Sequence, residues 1–251
     1  MNVSQSRQHR HAEFDVIHMS VAFPGEEHET KYVFTNSRAA TLRRFLSMKC
    51  IPDGDYAEGL ISSIYFDTSH LELLDEKLNS DFLKAKVRLR WYSSVTSGLP
   101  YPPVFLEVKR KIGSARRKTR QQLDCFGDWI RVRPLHDPSF LQINALLTKL
   151  GNHFNRSLFP TLQIDYRRSR YLDTHSGARL SVDSDIRVSR TNGQLIPYLN
   201  GCCLDDAVFE CKLRTQHQPD WLGQVNTLAD GRKDSFSKYA CCFLHSRRLT
   251  M

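Results

Sequence analysis

Four stretches of this chain place ionic side chains at every second position. Lys86, Arg88 and Arg90 alternate with Val87, Leu89 and Trp91. Glu107, Lys109 and Lys111 follow Phe105 and alternate with Leu106 and Val108. Glu27, Glu29 and Lys31 alternate with His28 and Thr30, and Glu210 and Lys212 alternate with Phe209, Cys211 and Leu213. Side chains of a strand switch faces at every step, so each set lies on one face. Groups of these types suit phosphoryl transfer, which needs positive charge around non-bridging oxygens and a divalent ion to neutralise developing charge. Arginine forks match phosphate oxygens and lysine supplies compact charge. Carboxylates on neighbouring strands offer oxygen ligands to Mg2+ or Mn2+.

Taken singly, each set has an ordinary reading. An E-x-E-x-K on an exposed strand is a solvated face. Glu107 with Lys109 makes a cross-strand ion pair worth under ~1 kcal/mol. Asp183 fits turn chemistry, and Tyr65, Phe66, Trp91 and Phe105 fit packing. Most sheets bury the apolar face and wet the charged one. So many faces of mixed sign point instead to a sheet wrapped around a charged lumen, suited to a polyanion and its metal.

The elements that must position these groups follow from periodicity and punctuation. A strand runs from about Glu26 to Phe34, then a helix capped by Asn36 or Ser37 carries Ala39, Leu42, Phe45 and Leu46 at helical spacing. Strands at Leu60–Asp67, Lys86–Tyr92 and Val104–Lys111 follow, with a short helix through Leu71, Leu74 and Leu78. Gly113 marks a turn into the basic run Arg116, Arg117, Lys118 and Arg120. Pro138–Phe154 reads as a helix. Strands resume at Thr161–Arg168, Ala178–Val188 and Ala207–Leu213, and Asn192-Gly193 predicts a hairpin. Short helices around Trp221 and over Ser235–His245 close the pattern. The expected architecture is α+β, one large antiparallel sheet closed around the charged lumen, since full closure removes exposed edges. Residues 1–22 read as a polar, loosely ordered tail and residues 23–251 as one domain.

The chain has 251 residues, 40% hydrophobic and 25% charged, and carries a formal net charge of +9. That balance favours a polyanionic partner. The seven cysteines are odd in number and form no C-x-x-C pair, which argues against a zinc site or a disulfide framework and for reduced thiols in the cytoplasm. No apolar run reaches the ~18–20 residues a membrane span needs.

The motifs in order are E-x-E-x-K, S-x-Y-F-D, R-L-R-W-Y, F-L-E-V-K-R-K, K-x-R, Y-R-R-S-R-Y, R-L-S-V-D, F-E-C-K-L and F-S-K-Y. Over residues 26–243 this series resembles the VTC domain, the polyphosphate polymerase domain of the vacuolar transporter chaperone family. That domain belongs to the triphosphate tunnel metalloenzymes of CYTH type. The resemblance implies a closed antiparallel β-barrel tunnel with helices packed on the outside, which binds ATP and polyphosphate with a divalent metal, Mn2+ or Mg2+. It implies that Lys31, Arg88, Arg90, Lys109, Arg167 and Lys238 act on the reacting phosphates. Lys118, Arg120, Arg179 and Lys212 would bind the phosphate chain. Glu210 is the first choice of metal ligand, with Glu29, Glu107, Glu27 and Asp183 as further candidates. Eukaryotic members carry membrane spans that receive the product, and no such segment is visible here, so a channel-coupled role is not expected.

The leading expectation is transfer of the γ-phosphate of ATP to a growing polyphosphate chain. A tripolyphosphate or triphosphate hydrolase on the same scaffold is the first alternative. A non-catalytic polyanion- or RNA-binding module is the second, nucleic acid being the less favoured ligand. Oligomeric state is left open.

Overall fold

The computed structural model describes residues 16–22, 28–54, 56–113, 115–124, 127–214 and 217–249. The first half holds β1 (Val16–Ala22), β2 (His28–Thr35), α1 (Ala39–Lys49), β3 (Ile51–Pro52), β4 (Glu58–Asp67), α2 (Glu72–Leu78), β5 (Leu83–Ser93), β6 (Pro100–Ile112) and β7 (Ala115–Leu123). The second holds α3 (Gly127–Val132), α4 (Gln142–Lys149), β8 (Phe159–Leu172), β9 (Arg179–Thr191), β10 (Cys202–Cys203), β11 (Asp206–Leu213), α5 (Gln224–Ala229), β12 (Arg232–Lys233) and α6 (Lys238–Leu249).

All twelve strands join one sheet in the order β1-β7-β6-β5-β4-β8-β9-β11-β2-β12, with β3 on β8 and β10 on β9. The α+β class and the antiparallel sheet match the sequence expectation. Closure does not: among the described residues no strand pairing joins β1 to β12, so the ladder is an open path. The sheet is nevertheless strongly curled. β6 and β11 stand five steps apart in the ladder, about 24 Å if the sheet were flat. Yet Lys109 of β6 feels the charges of Lys212, Glu29 and Glu210 on β11 and β2. The concave face is therefore a trough whose two walls address each other.

Alternation divides each strand between the two faces. Val87, Leu89, Trp91, Leu106 and Val108 point to the convex side and pack under α3, α4 and the 3-10 turn Pro138–Leu141, against Ile130, Phe140, Ile143 and Leu147. Leu42, Phe45 and Leu46 of α1, at the helical spacing read from sequence, cover Leu180, Val182, Phe209 and Cys211 with help from Val225 of α5. Full burial of each such side chain contributes about 2 kcal/mol.

α6 departs from the expected arrangement of helices outside the barrel. It packs on the concave side, where Tyr239 and Phe243 cover Tyr65, Tyr166, Ile186, Val188, Val33 and Val208. The Tyr239 ring stacks on Tyr65 with centroids 5.1 Å apart. One part of the trough is thus apolar and roofed by a helix, and the rest is ionic.

Other departures have local causes. Residues 16–22, expected in a loose tail, form an edge strand paired with β7. Asn36 does not cap α1. Its side chain donates to Asp185 Oδ1 at 3.0 Å and accepts from the Asp185 amide at 2.9 Å, so a 3-10 turn precedes the helix. Asn192-Gly193 makes no two-residue hairpin. Asn192 is buried, donates to the Pro160 carbonyl and accepts from the Gln194 amide, and the chain returns to β9 only at β10. Helix α4 stops at Lys149, where Gly151 turns the chain at φ +68.

Asp67 ends β4 and organises the turn into α2. Its carboxylate accepts from the Thr68, Leu73 and Leu74 amides and from the Tyr239 hydroxyl. Burial pushes this carboxyl up to about 6 against those donors. It holds the first turn of α2 and ties α6 to the sheet. Asp67→Ala leaves several buried donors without acceptors and is expected to destabilise the fold by about 3 kcal/mol, read as a lower urea midpoint. An unchanged midpoint would remove Asp67 from this role.

Candidate functional site

Cross-strand register stacks the ionic side chains in rows. On β5, β6 and β7 the outermost concave row is Lys84–Lys111–Arg116 and the next is Lys86–Lys109–Lys118. Below them lies Arg88–Glu107–Arg120. The facing wall carries Arg170–Ser181–Glu210–Lys31 across β8, β9, β11 and β2, flanked by Arg168–Asp183 on one side and Arg179–Lys212–Glu29 on the other. Lys238, at the start of α6, enters this wall through Asp183.

The carboxylates are islands among cations. Glu107 is almost fully buried and meets Arg88 at 2.6 Å, Lys118 at 3.0 Å, and Arg90 and Arg120 at 3.5 Å. Burial pushes its carboxyl up, but Arg88, Arg90 and Lys118 hold it well below the usual carboxylate range. Arg90 also donates to Ser63 Oγ and to the Tyr166 hydroxyl. Arg120 lies 3.5 Å over the Phe105 ring and donates to the Tyr92 hydroxyl. Asp183 receives both arms of Arg168 and the ammonium of Lys238. Burial opposes its ionisation, and these two cations nevertheless bring it down to about 2.

Glu29 and Glu210 flank Lys31, whose Nζ is 2.9 Å from Glu29 and 3.9 Å from Glu210, while Lys212 reaches Glu210 at 2.9 Å. Burial raises both carboxyls, but the neighbouring cations win and hold both low, with Glu210 well below its ordinary value.

Neither Lys86 nor Lys109 of the second row pairs with an acid. Lys86 donates to Ser237 Oγ at 3.0 Å. Burial, then Arg88, Lys31 and Lys109, pushes its ammonium well below the usual lysine range. Lys109 makes no hydrogen bond or ion pair with any described residue. Its side chain is open to water within the trough but ringed by the walls, and burial, Arg88 and Lys212 push it down to about 7.

The structure brings Lys31, Arg88, Arg90, Lys109, Lys118, Arg120, Lys212, Lys238, Glu29, Glu107, Asp183 and Glu210 to the concave face. Arg179 sits at the exposed end of β9 opposite Lys212. Glu27 lies outside the described residues. Arg167 is a correction. It faces the convex side and pairs with Glu58 at 2.5 Å, and Arg168 occupies the concave position beside it. The regular alternation Tyr166, Arg168, Arg170 along β8 carried this signal, and a motif reading passed over it. Lys86 and Arg170 were likewise on the alternating faces and belong to the lining.

Among the described residues no cluster of three or more His, Cys, Asp or Glu side chains is set to hold a metal. Glu107 and Asp183 do not fit a metal, because cations already occupy their oxygens. Glu29 and Glu210 fit better. Mg2+ and Mn2+ are commonly held by one or two carboxylates together with substrate phosphates, and these two acids converge on Lys31.

The site is thus a curled antiparallel sheet with rows of cations stacked on its concave face. A model of the VTC domain matches residues 26–245, and the chain belongs to that family. Among solved structures the fold is similar to that of a "putative adenylate cyclase" from Bacillus halodurans, with TM-score 0.52 and 15% identity over 86% of this chain and 96% of that one. At that identity the likeness is one of fold. No protein of curated function matches the chain.

Two measurements check this site. A polyanion favours the ammonium form of Lys109, so binding inorganic tripolyphosphate at pH 8 is expected to take up protons, and affinity is expected to fall as pH rises through 7 to 9. Calorimetry in two buffers of different ionisation enthalpy reads the uptake, and Lys109→Arg should reduce it to the share that Lys86 contributes. Glu107→Gln strips four cations of their shared carboxylate and is expected to cost about 3–5 kcal/mol of stability. Tripolyphosphate should restore most of the lost thermal midpoint. An equal loss with and without the anion would show that Glu107 does not balance the cations that bind it.

Proposed function

We propose that this protein is a metal-dependent phosphotransferase that moves the γ-phosphoryl group of ATP to the end of a polyphosphate chain lying in the trough. One observation carries the reading. Glu29, Glu107, Asp183 and Glu210, the carboxylates set among the cationic rows, are each engaged by cations, while the rows Lys84–Lys111–Arg116 and Lys86–Lys109–Lys118 contain no acid. Carboxylates held this low are poor bases toward water. An ionised phosphate oxygen needs no base. It attacks the γ-phosphorus, the bond from that phosphorus to the β–γ bridging oxygen breaks, and ADP leaves with the electron pair.

Chain residues supply placement and charge. In this reading Arg88, Arg90, Lys109, Lys31, Arg168 and Lys238 grip the reacting phosphates. Lys118, Arg120, Lys212 and Arg179 hold the remaining chain in line. Glu107 keeps Arg88 and Arg90 pointing inward, and Asp183 does the same for Arg168 and Lys238. A divalent ion, Mn2+ or Mg2+, held by Glu29 and Glu210 would neutralise charge on the phosphate oxygens.

Incubation with ATP and Mn2+ is expected to give long polyphosphate and ADP, resolved by electrophoresis. Arg90→Ala should lower the rate by about 100-fold, and Glu210→Gln should lower turnover without loss of fold. Orthophosphate as the sole product would establish the hydrolase instead. Tight tripolyphosphate binding without turnover under any divalent ion would leave a polyanion-binding module.

A further inference from the structure

At one end of the trough the chain exposes an apolar apex. Phe82 is 69% exposed, Leu83 58% and Ile112 54%. Leu83 and Ile112 are cross-strand partners, and Phe82 lies over Gly113, whose φ of +59 lets the β6–β7 turn pass beneath the ring. Cations stand one residue behind the apex: Lys84 and Lys111 face each other across β5 and β6, with Arg116 beside them on β7. Arg117 adds charge on the convex side. None of these four cations forms an ion pair or hydrogen bond with a described residue. The nearby acids are fewer. Asp81 adjoins Phe82, Glu76 accepts from the Ala85 amide at 2.7 Å, and Glu72 pairs with Arg156 at 3.2 Å.

The apex thus sets three exposed apolar side chains in front of four cations. We propose that it docks on an anionic membrane surface, with Phe82, Leu83 and Ile112 entering the acyl boundary and Lys84, Lys111, Arg116 and Arg117 meeting lipid phosphates. The vertical order of groups supports this occupant. A strand rises ~3.3 Å per residue, so the cations stand at headgroup depth when the apex enters the ~5–10 Å that interfacial elements reach. Each such cation adds attraction to an anionic leaflet. The apex is a projecting tip rather than a groove, which suits a deformable surface. Docked this way, the Lys84–Lys111–Arg116 row, the outermost of the trough, faces the bilayer.

The test is co-sedimentation of the full chain with phosphatidylcholine vesicles, with and without phosphatidylserine, run also with saturating tripolyphosphate to fill the trough. Binding is expected to the anionic vesicles only, and to persist with tripolyphosphate. Combined Phe82→Ser, Leu83→Ser and Ile112→Ser should weaken it at least about tenfold, and so should Lys111→Glu with Arg116→Glu. As a check that needs no loss of stability, Leu83→Trp should be quenched by brominated lipid in the anionic vesicles. Four results would overturn the proposal: equal binding to neutral vesicles, loss of binding with tripolyphosphate, unchanged binding by the apolar variant, or no binding. The second would mean that the trough itself captured the headgroups, and the last would leave the apex to an acidic protein.

Discussion

The structure depends on repulsion held in check. Cations from β5, β6, β7, β8, β2 and α6 face one another across a curled sheet, and few acids stand among them. Glu107 is the extreme case, one nearly inaccessible carboxylate under four cations. Asp183 plays the same part on the opposite wall with two. Each acid satisfies its own neighbours and leaves the surrounding lysines unsatisfied. The trough is therefore poised for a ligand with more negative charge than the protein supplies.

Such a face does not hold itself together. The compensating force lies on the other side of the same strands. Trp91, Leu89 and Val87 are fully buried between the positions of Arg90, Arg88 and Lys86, so the strand that carries the charge also anchors it. Two convex cores under α3 with α4 and α1 with α5 repeat this pairing of ionic and apolar neighbours around the sheet. The curl brings the walls close enough to act on one molecule, and no closing rung is needed for that.

How much of this was legible depends on alternation. Where strands are regular, as at Lys86–Arg90, Glu107–Lys111 and Glu210–Lys212, the sequence showed which side chains share a face. Irregular points escaped it. The β5–β6 register shifts opposite Trp91, where Pro102 and Pro103 interrupt β6, and the β8–β9 register shifts around Asp185 of β9, which no glycine or proline announces. Neither shift moves a β8 side chain: β8 alternates regularly past β4, and Arg167 was misplaced because a motif was followed instead of that alternation. Asp185, at φ +55, lets Ile186 and Val188 replace ionic groups on the concave side. The position of α6 was also hidden. Its apolar residues predicted a buried face, but periodicity does not say which side of the sheet that face meets. Closure was inferred from the tendency of a sheet to lose its edges, and the strand pairings show two ends left apart.

The covering of the concave apolar patch by α6 has an effect on biogenesis. α6 comes after every strand of the sheet in sequence, so all of them emerge from the ribosome before it. Until it arrives, Tyr65, Tyr166, Ile186 and Val188 lie bare beside a field of arginines and lysines. That nascent surface is both sticky and attractive to RNA, and the ribosome is the nearest RNA. Placing Tyr239 and Lys238 on one helix resolves both hazards in a single docking event: the aromatic ring shields the oily patch as the ammonium finds Asp183. Docking of α6 thus covers the apolar patch and neutralises Asp183 in the same step.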